Sequence, residues 1–408
     1  MFKKIFILAS VCLLTGCVME RQPVLWTGEA VPEEASKKAP SVAVLLPLSG
    51  ESANVGQDLK NAAMMAAFDN QNTPLKVLFF DTQSTAAGAV DAYHWAVAQK
   101  PDIVLGPVFS KEASAIKNEG LSKPLLSFSS DTTVIDSNVG TMAVTIPEQV
   151  RKMVRHACSS GQYRLAVLGP ESKTGEIAMN ALSEAVETCP GMRLEKVSLY
   201  AADTMNFTDA VQRIAPRFIS GKKKNLSDQD REELARPITE RAGVDAIILF
   251  EEGVKLRQLL SLLAFYDIGP KDIPVYGLTV VKQANDNNAN FVYFADLDET
   301  NYYNFSRRYK DTFGHGPIRI ASQMYDAMGF ILSEAAEGRP ISLEDLRSRD
   351  SYWGVDGLIR LNADGTNRRA LQLKQKRGSR YVLIEAAESF FDRPVSNGWN
   401  IFNQPIAE

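Results

Sequence analysis

The residues best suited to chemistry stand at the ends of apolar runs. Glu251 and Glu252 follow the run Ala246-Ile247-Ile248-Leu249-Phe250. A carboxylate at a strand end in a cleft could bind a cation or an amine, although two adjacent carboxylates on a surface are equally ordinary. Ser110 follows Gly106-Pro107-Val108-Phe109 and reads as the N-cap of a helix opening at Lys111. Such a cap is worth about 1 kcal/mol, with or without a ligand contact. Asp131 either closes the turn before Thr132-Thr133 or faces a cleft. Thr174, just before Gly175-Glu176, reads as another cap. In an open α/β sheet, ligands sit outside the carboxyl ends of the strands. The helix N-termini that follow offer free N–H groups to a carboxylate or other anion. Ser49-Gly50, the stretch 106–110, the stretch 127–131 and Leu278-Thr279 are four such ends. The local signatures of catalysis are missing from the sequence: the dinucleotide glycine pattern, the phosphate loop, the Gly-x-Ser-x-Gly elbow and the His-Glu-x-x-His zinc motif. His94, His156 and His315 are scattered without metal-ligand spacing. The expectation is a protein without catalytic residues, cofactor or metal.

The elements that must hold these ends alternate strictly. Apolar runs at 42–46, 75–80, 103–105 and 124–128 read as strands, and 56–70, 86–99 and 111–118 read as helices. The pattern restarts with a helix at 148–158, a strand at 164–168, a helix at 175–188 and a strand at 194–199. A helix at 207–218, a strand at 246–250, a helix at 255–266 and a strand at 275–278 complete it. Such alternation means two α/β units with mainly parallel sheets covered on both faces. A polar insert at 216–240 interrupts the second unit. It carries Lys222-Lys223-Lys224, and its helix at 229–241 should break at Pro237. The last third holds a strand at 291–294, helices at 301–313 and 320–337, and hairpin-like pieces at 357–361, 369–374 and 381–385. It is too small for a third domain and must add to the units already built.

The chain has 408 residues, more than one core can serve, and its formal net charge of −4 gives no sign of a nucleic-acid partner. Lys3 and Lys4, the short apolar run 5–14 and Leu14-Thr15-Gly16-Cys17 have the form of a signal peptide with its cleavage site. The pattern resembles a bacterial lipobox, which implies a leader at 1–16, lipid on Cys17 and a tether at 17–40. Val18 after the cysteine favours the outer membrane. Cys12 leaves with the leader, so Cys158 and Cys189 remain in an oxidising compartment. A disulfide between them is the expectation; two buried free thiols are the alternative.

The stretches VAVLLPLSGESANVG (42–56), DIVLGPVFSKEASAI (102–116), KPLLSFSSD (123–131), SQMYDAMGFILSEA (322–335) and WGVDGLIRLNADGTNRR (353–369) resemble the type I periplasmic binding proteins of the leucine/isoleucine/valine branch. The resemblance implies a two-lobe fold with three crossovers. Lobe one would take 41–146 and 281–348, lobe two 147–280 and 349–390, and 391–408 would be a tail. It also implies that Ser110 holds a ligand carboxylate, that Ser129 and Asp131 contact the ligand backbone, and that Thr174 and Thr279 stand near positions used by an aromatic and an acid. Asp131 would repel a carboxylate, and Thr279 carries no charge for an ammonium.

The insert and the sequence DAIILFEEGVKLRQLLSLLAFYD (245–267), with the lipobox, resemble the penicillin-binding-protein activator lipoproteins. That resemblance implies an outer-membrane regulator whose partner is the periplasmic part of a penicillin-binding protein. The alternative is a solute-binding lipoprotein of a transport or sensing system, with a small polar or peptidic molecule in the cleft.

Overall fold

The apolar run of β1 (Ser41–Leu46) is buried along its whole length, as a central parallel strand covered on both faces requires. In the computed structural model, which describes residues 39–219, 226–279 and 289–391, it is followed by α1 (Ala53–Asp69), β2 (Lys76–Asp81), α2 (Ala86–Ala98), β3 (Ile103–Leu105), α3 (Ser110–Glu119), β4 (Leu125–Ser127) and β5 (Val139–Thr141). These strands make a parallel sheet in the order β2-β1-β3-β4-β5.

The second unit runs α4 (Ile146–Ser159), β6 (Arg164–Glu171), α5 (Lys173–Glu187), β7 (Arg193–Ala201), α6 (Thr208–Ile214), α7 (Asp228–Ala235), α8 (Ile238–Ala242), β8 (Ala246–Leu249), α9 (Gly253–Phe265), β9 (Val275–Gly277) and β10 (Tyr293–Leu297). Its parallel strands repeat the first order, as β7-β6-β8-β9-β10. The helix expected at 207–218 stops at Ile214. Ala215 precedes Pro216, which disfavours helical backbone, and is extended at ψ 155°. The helix expected at 229–241 breaks before Pro237, giving α7 and α8.

The last third is α10 (Tyr302–Phe313), α11 (Ala321–Ala336), α12 (Leu343–Arg347), β11 (Tyr352–Gly354), β12 (Gly357–Leu361), β13 (Asn367–Arg369), β14 (Leu371–Arg377) and β15 (Arg380–Glu385). It divides differently from the expected boundaries. β10 pairs with β9 and with β14, so the chain leaves lobe two after Leu297 and not at residue 280. The small antiparallel sheet β11-β12-β13 belongs with lobe one. Ile359 and Leu361 share a core with Val42, Leu59, Met324 and Phe330. Only β14 and β15 of the tail join the second sheet, through antiparallel pairing. A turn and a register, neither marked by composition, decide these boundaries.

Among the described residues the chain therefore passes between lobes at 142–145, at 298–301 and at Ala370. These passages are bonded to their surroundings. Asn367 Nδ2 donates to the carbonyls of Thr141 and Ala143, both at 2.8 Å, and Arg369 Nη2 donates to that of Met142 at 2.6 Å. Gln372 Nε2 donates to Asp298 at 2.6 Å. Cys158 and Cys189 form a disulfide with a Cα–Cα distance of 6.1 Å, tying the end of α4 to the turn after α5. Residues 1–38, Lys222 to Lys224 and 392–408 lie outside the described residues, and with them Cys17, the leader and the tether.

Candidate functional site

At the carboxyl ends of the second sheet's parallel strands, a cavity of about 430 Å³ opens toward lobe one. Pro170 at the end of β6 forms one wall, with Ser172 and Thr174 at the start of α5. Phe250, Glu251 and Glu252, between β8 and α9, form another with Lys255 of α9. Leu278 and Thr279 follow β9, while Val144, Ile146 and Gln149 come from the first passage and α4. Ser130 is lobe one's contribution.

Local sequence explains how these groups are held. Ser172 caps α5, its Oγ accepting the N–H of Gly175 at 3.2 Å. A Cβ on Gly175 would stand 2.0 Å from the Pro170 carbonyl oxygen, so only glycine lets α5 begin this close to the strand end. Gln149 Oε1 accepts the Thr279 N–H at 2.8 Å and lies 2.9 Å from Thr279 Oγ1, which is 2.5 Å from the Ala295 carbonyl. These bonds lock α4, the end of β9 and β10 together as one side of the cavity.

Glu251 is buried, and one of its oxygens accepts the Glu252 N–H at 3.2 Å. The Tyr200 phenol is pushed above its ordinary range, first by burial and then by the charge of Glu251. Lys255 Nζ donates to the Ala202 carbonyl. The lining thus carries two carboxylates and one ammonium beside the apolar surfaces of Val144, Ile146, Phe250 and Leu278. That composition suits a small molecule with an apolar body and a cationic or amine group.

Of the residues singled out in the sequence, Thr174, Glu251, Glu252 and Thr279 line the cavity. Ser110, Ser129 and Asp131 do not. Ser110 is the first residue of α3, and Phe109 is its N-cap, so the cap role expected of Ser110 is not the one it has. Glu112 reaches back to the Phe109 N–H at 3.5 Å and starts the helix one residue early. Thr174 is likewise displaced as a cap by Ser172. Ser129 is buried, and its Oγ accepts the Asp131 N–H at 3.1 Å. Asp131 closes a turn, accepting from Thr133 N at 3.0 Å and Thr133 Oγ1 at 2.7 Å.

The neighbour Ser130 lines the cavity instead. Gln149, Ser172 and Lys255 carry no site signal of their own in the sequence. Gln149 reads as an ordinary residue of a helix, and Lys255 carried a signal only in its nearness to Glu251-Glu252. Among the described residues no group of three or more His, Cys, Asp or Glu side chains is placed to hold a metal ion, and no helix is long and apolar enough to cross a membrane.

Two lobes of the same strand order, three passages and a cavity between them define the type I periplasmic-binding-protein fold. A family profile described as periplasmic binding protein matches residues 40–216. The fold is similar to that of a putative branched-chain amino acid ABC transporter protein from Rhodospirillum rubrum, at 20% identity and a TM-score of 0.67, covering 85% of this chain and 100% of that one. It is similar to a leucine binding protein from Thermotoga maritima, at 16% identity and a TM-score of 0.53, covering 85% and 98%. It is also similar to a solute binding protein of an ABC transporter from Rhodopseudomonas palustris, solved with 3,4-dihydroxybenzoic acid, at 14% identity and a TM-score of 0.56, covering 87% and 98%. At these identities the likeness establishes the fold. No curated protein sequence matches the chain.

Proposed function

We propose that the protein is a periplasmic solute-binding protein of a transport or sensing system, and that it holds a small amine-bearing molecule between its lobes. The carrying observation is the cavity itself, at strand ends, with Glu251 and Glu252 beside an apolar wall. The family profile and the fold neighbours, several described as substrate-binding proteins, support this reading over a regulator of cell-wall synthesis. The amine would pair with Glu251. The apolar body would lie on Phe250, Leu278 and Ile146, with Ser130 closing the site from lobe one. Ser110, Ser129 and Asp131 would act through the backbone around them and not by direct contact. Nothing in the reading needs a catalytic group or cofactor. Lipid on Cys17 would keep the protein at the membrane, on the periplasmic side.

Calorimetry of the full chain with phenethylamine and benzoate, two probes with an aromatic body and opposite charge, tests the polarity. Phenethylamine should bind and benzoate should not. Benzoate binding more tightly would reverse the charge assignment. Free leucine, isoleucine and valine should bind no tighter than about 100 μM. A wider panel of amines, amino acids, short peptides and aromatic acids with no saturable binding would end the solute-binding reading.

A second reading rests on α7, an addition to the plain fold in which no residue is buried. Additions on a rigid scaffold often carry binding, and this one would serve a penicillin-binding protein, as the activator resemblance implies. A pull-down with the periplasmic part of such a synthase from the same organism tests it. Failure to bind or stimulate any of them removes this reading and leaves the cleft untouched.

A further inference from the structure

Helix α9 carries apolar residues on both of its faces. Leu256, Leu259, Leu260 and Leu263 are buried in the core of lobe two. On the outer side Val254 and Phe265 are 51% and 61% exposed. A helix that is apolar on all sides belongs inside a structure, so this outer face calls for a cover. Val254 and Phe265, with Met205 and Leu262, line a groove of about 590 Å³. Phe218, itself exposed, stacks on Phe265 with ring centroids 5.2 Å apart and extends the patch. Contiguous exposed apolar patches mark interaction sites.

Two opposite charges flank this stripe. Arg257 lines the groove, and Asp267 stands just beyond the helix, after its cap Tyr266. Both are exposed. Neither makes an ion pair among the described residues, and Arg241 lines the same small cavity as Asp267 without pairing to it. No carboxylate is found among the described residues that line the groove. Arg257 and Asp267 each lie five positions from Leu262, so they stand about 15 Å apart along the helix direction.

We propose that this face packs antiparallel on the same face of a second copy, joining two chains through lobe two about a two-fold axis near Leu262. A two-fold contact pairs each patch with its own copy, so the patch must complement itself. This one does. Turned about Leu262, Arg257 of each copy comes level with Asp267 of the other, and both charges are met twice over. The groove of each copy receives Phe265 of the other. A foreign helix bearing one acid would answer Arg257 and leave Asp267 unmet. The groove is lined from 205–208 and 254–265, all within lobe two, so the contact leaves lobe one unburdened. It is independent of the cleft and of the solute-binding reading.

The test uses the full chain, purified in mild detergent and followed by sedimentation. A dimer should form. Phe265→Ser should weaken it about tenfold or more. Arg257→Asp and Asp267→Arg should each weaken it about tenfold, by setting like charges against each other. The Arg257→Asp/Asp267→Arg variant should regain most of that loss, which damage to the fold could not produce. In cells, Ser261→Cys, one position from the axis, should give a disulfide-linked dimer on non-reducing gels. Asp91→Cys, exposed on α2 of lobe one, should not. A chain that stays monomeric at about 100 μM overturns the proposal. So does a dimer in which the double charge variant recovers nothing, or photo-cross-linking from residue 261 that captures only a different protein.

Discussion

The two lobes repeat one plan and divide the chemistry unequally. Each has five parallel strands in the order 2-1-3-4-5. Each also starts the helix after its first strand against a proline carbonyl. A Cβ on Gly56 of α1 would stand 2.0 Å from the Pro47 oxygen, as one on Gly175 of α5 would from Pro170. Yet among the described residues the charged lining of the cleft comes from lobe two, and lobe one supplies only Ser130. In lobe one, Asp81 at the end of β2 is consumed by its own turn. It accepts from Leu48 N at 2.9 Å, Ser49 Oγ at 2.6 Å and Gln83 N at 2.8 Å. Burial raises its pKa, but these bonds outweigh it and hold the carboxyl below its ordinary value. The same strand order thus carries a self-satisfied loop in one lobe and a carboxylate pair lining the cleft in the other.

The largest expected difference between the lobes concerns the disulfide. Replacing Cys158 and Cys189 by serine frees a loop of 31 residues and should cost about 3–4 kcal/mol on the chain-entropy account. Hydrogen exchange resolved by peptide should place that loss in 146–277, while 41–141 keeps its protection. An equal loss in both lobes would mean that they unfold as one unit.

Next comes the pairing of glycines. Gly56→Ala and Gly175→Ala should each destabilise by about 1–3 kcal/mol, because backbone must move to admit the methyl group. Denaturant titration should give similar values for the two. A neutral Gly175→Ala would show that the lobes do not share this device.

Smaller effects read the division of the cleft. Once a ligand is found by the panel above, Glu251→Gln should weaken it by about 1.5–3 kcal/mol, Ser130→Ala by about 0.5–1.5 kcal/mol, and Ser110→Ala hardly at all. A dominant Ser110 effect in calorimetry would move the binding chemistry to lobe one.

The lobes should also differ with pH. Asp326 of α11 is raised to about 7, first by burial and then by Asp356. Glu112 is raised too, chiefly by burial. A carboxyl whose folded pKa is raised binds more protons when folded. Its contribution is therefore full below the unfolded value near 4 and declines as pH rises toward the folded pKa. In lobe two, burial raises Asp245, but Arg164 outweighs it and the net pKa is lowered. That contribution is present above the unfolded value and is lost only as pH falls. Exchange measured from pH 5 to 7.5, corrected for intrinsic rates, should show lobe one weakening while lobe two holds. Asp326→Asn should flatten the lobe-one slope, whatever it does to the absolute level.

The alternation of strand and helix was legible because buried parallel strands are short apolar runs bounded by turns. The break at Pro237 was legible because proline cannot continue a helix. Other features depend on choices that composition does not record. Ser172 and Thr174 both suit a cap, and the Pro170–Gly175 contact selects Ser172. Ser129 and Ser130 are the same residue type, yet one is buried and the other lines the cavity, and residue type cannot tell them apart. The lobe boundary at Leu297 follows from the pairing of Phe294 with Lys374, 80 positions away, and no local signal predicts a partner so distant.

The assignment of residues 302–369 to lobe one has a consequence for folding order. Val42 and Leu59 share a core with Phe330, Ile359 and Leu361, so the first lobe to be synthesised is among the last to be completed. Lobe two closes its parallel sheet at β10, long before the chain reaches residue 359. Such high contact order slows folding and leaves apolar surface waiting for its partners. A chain stalled near residue 300 would present a nearly finished lobe two beside a lobe one with half its core open to solvent, and a chaperone that follows the nascent chain would hold the amino-terminal lobe the longest.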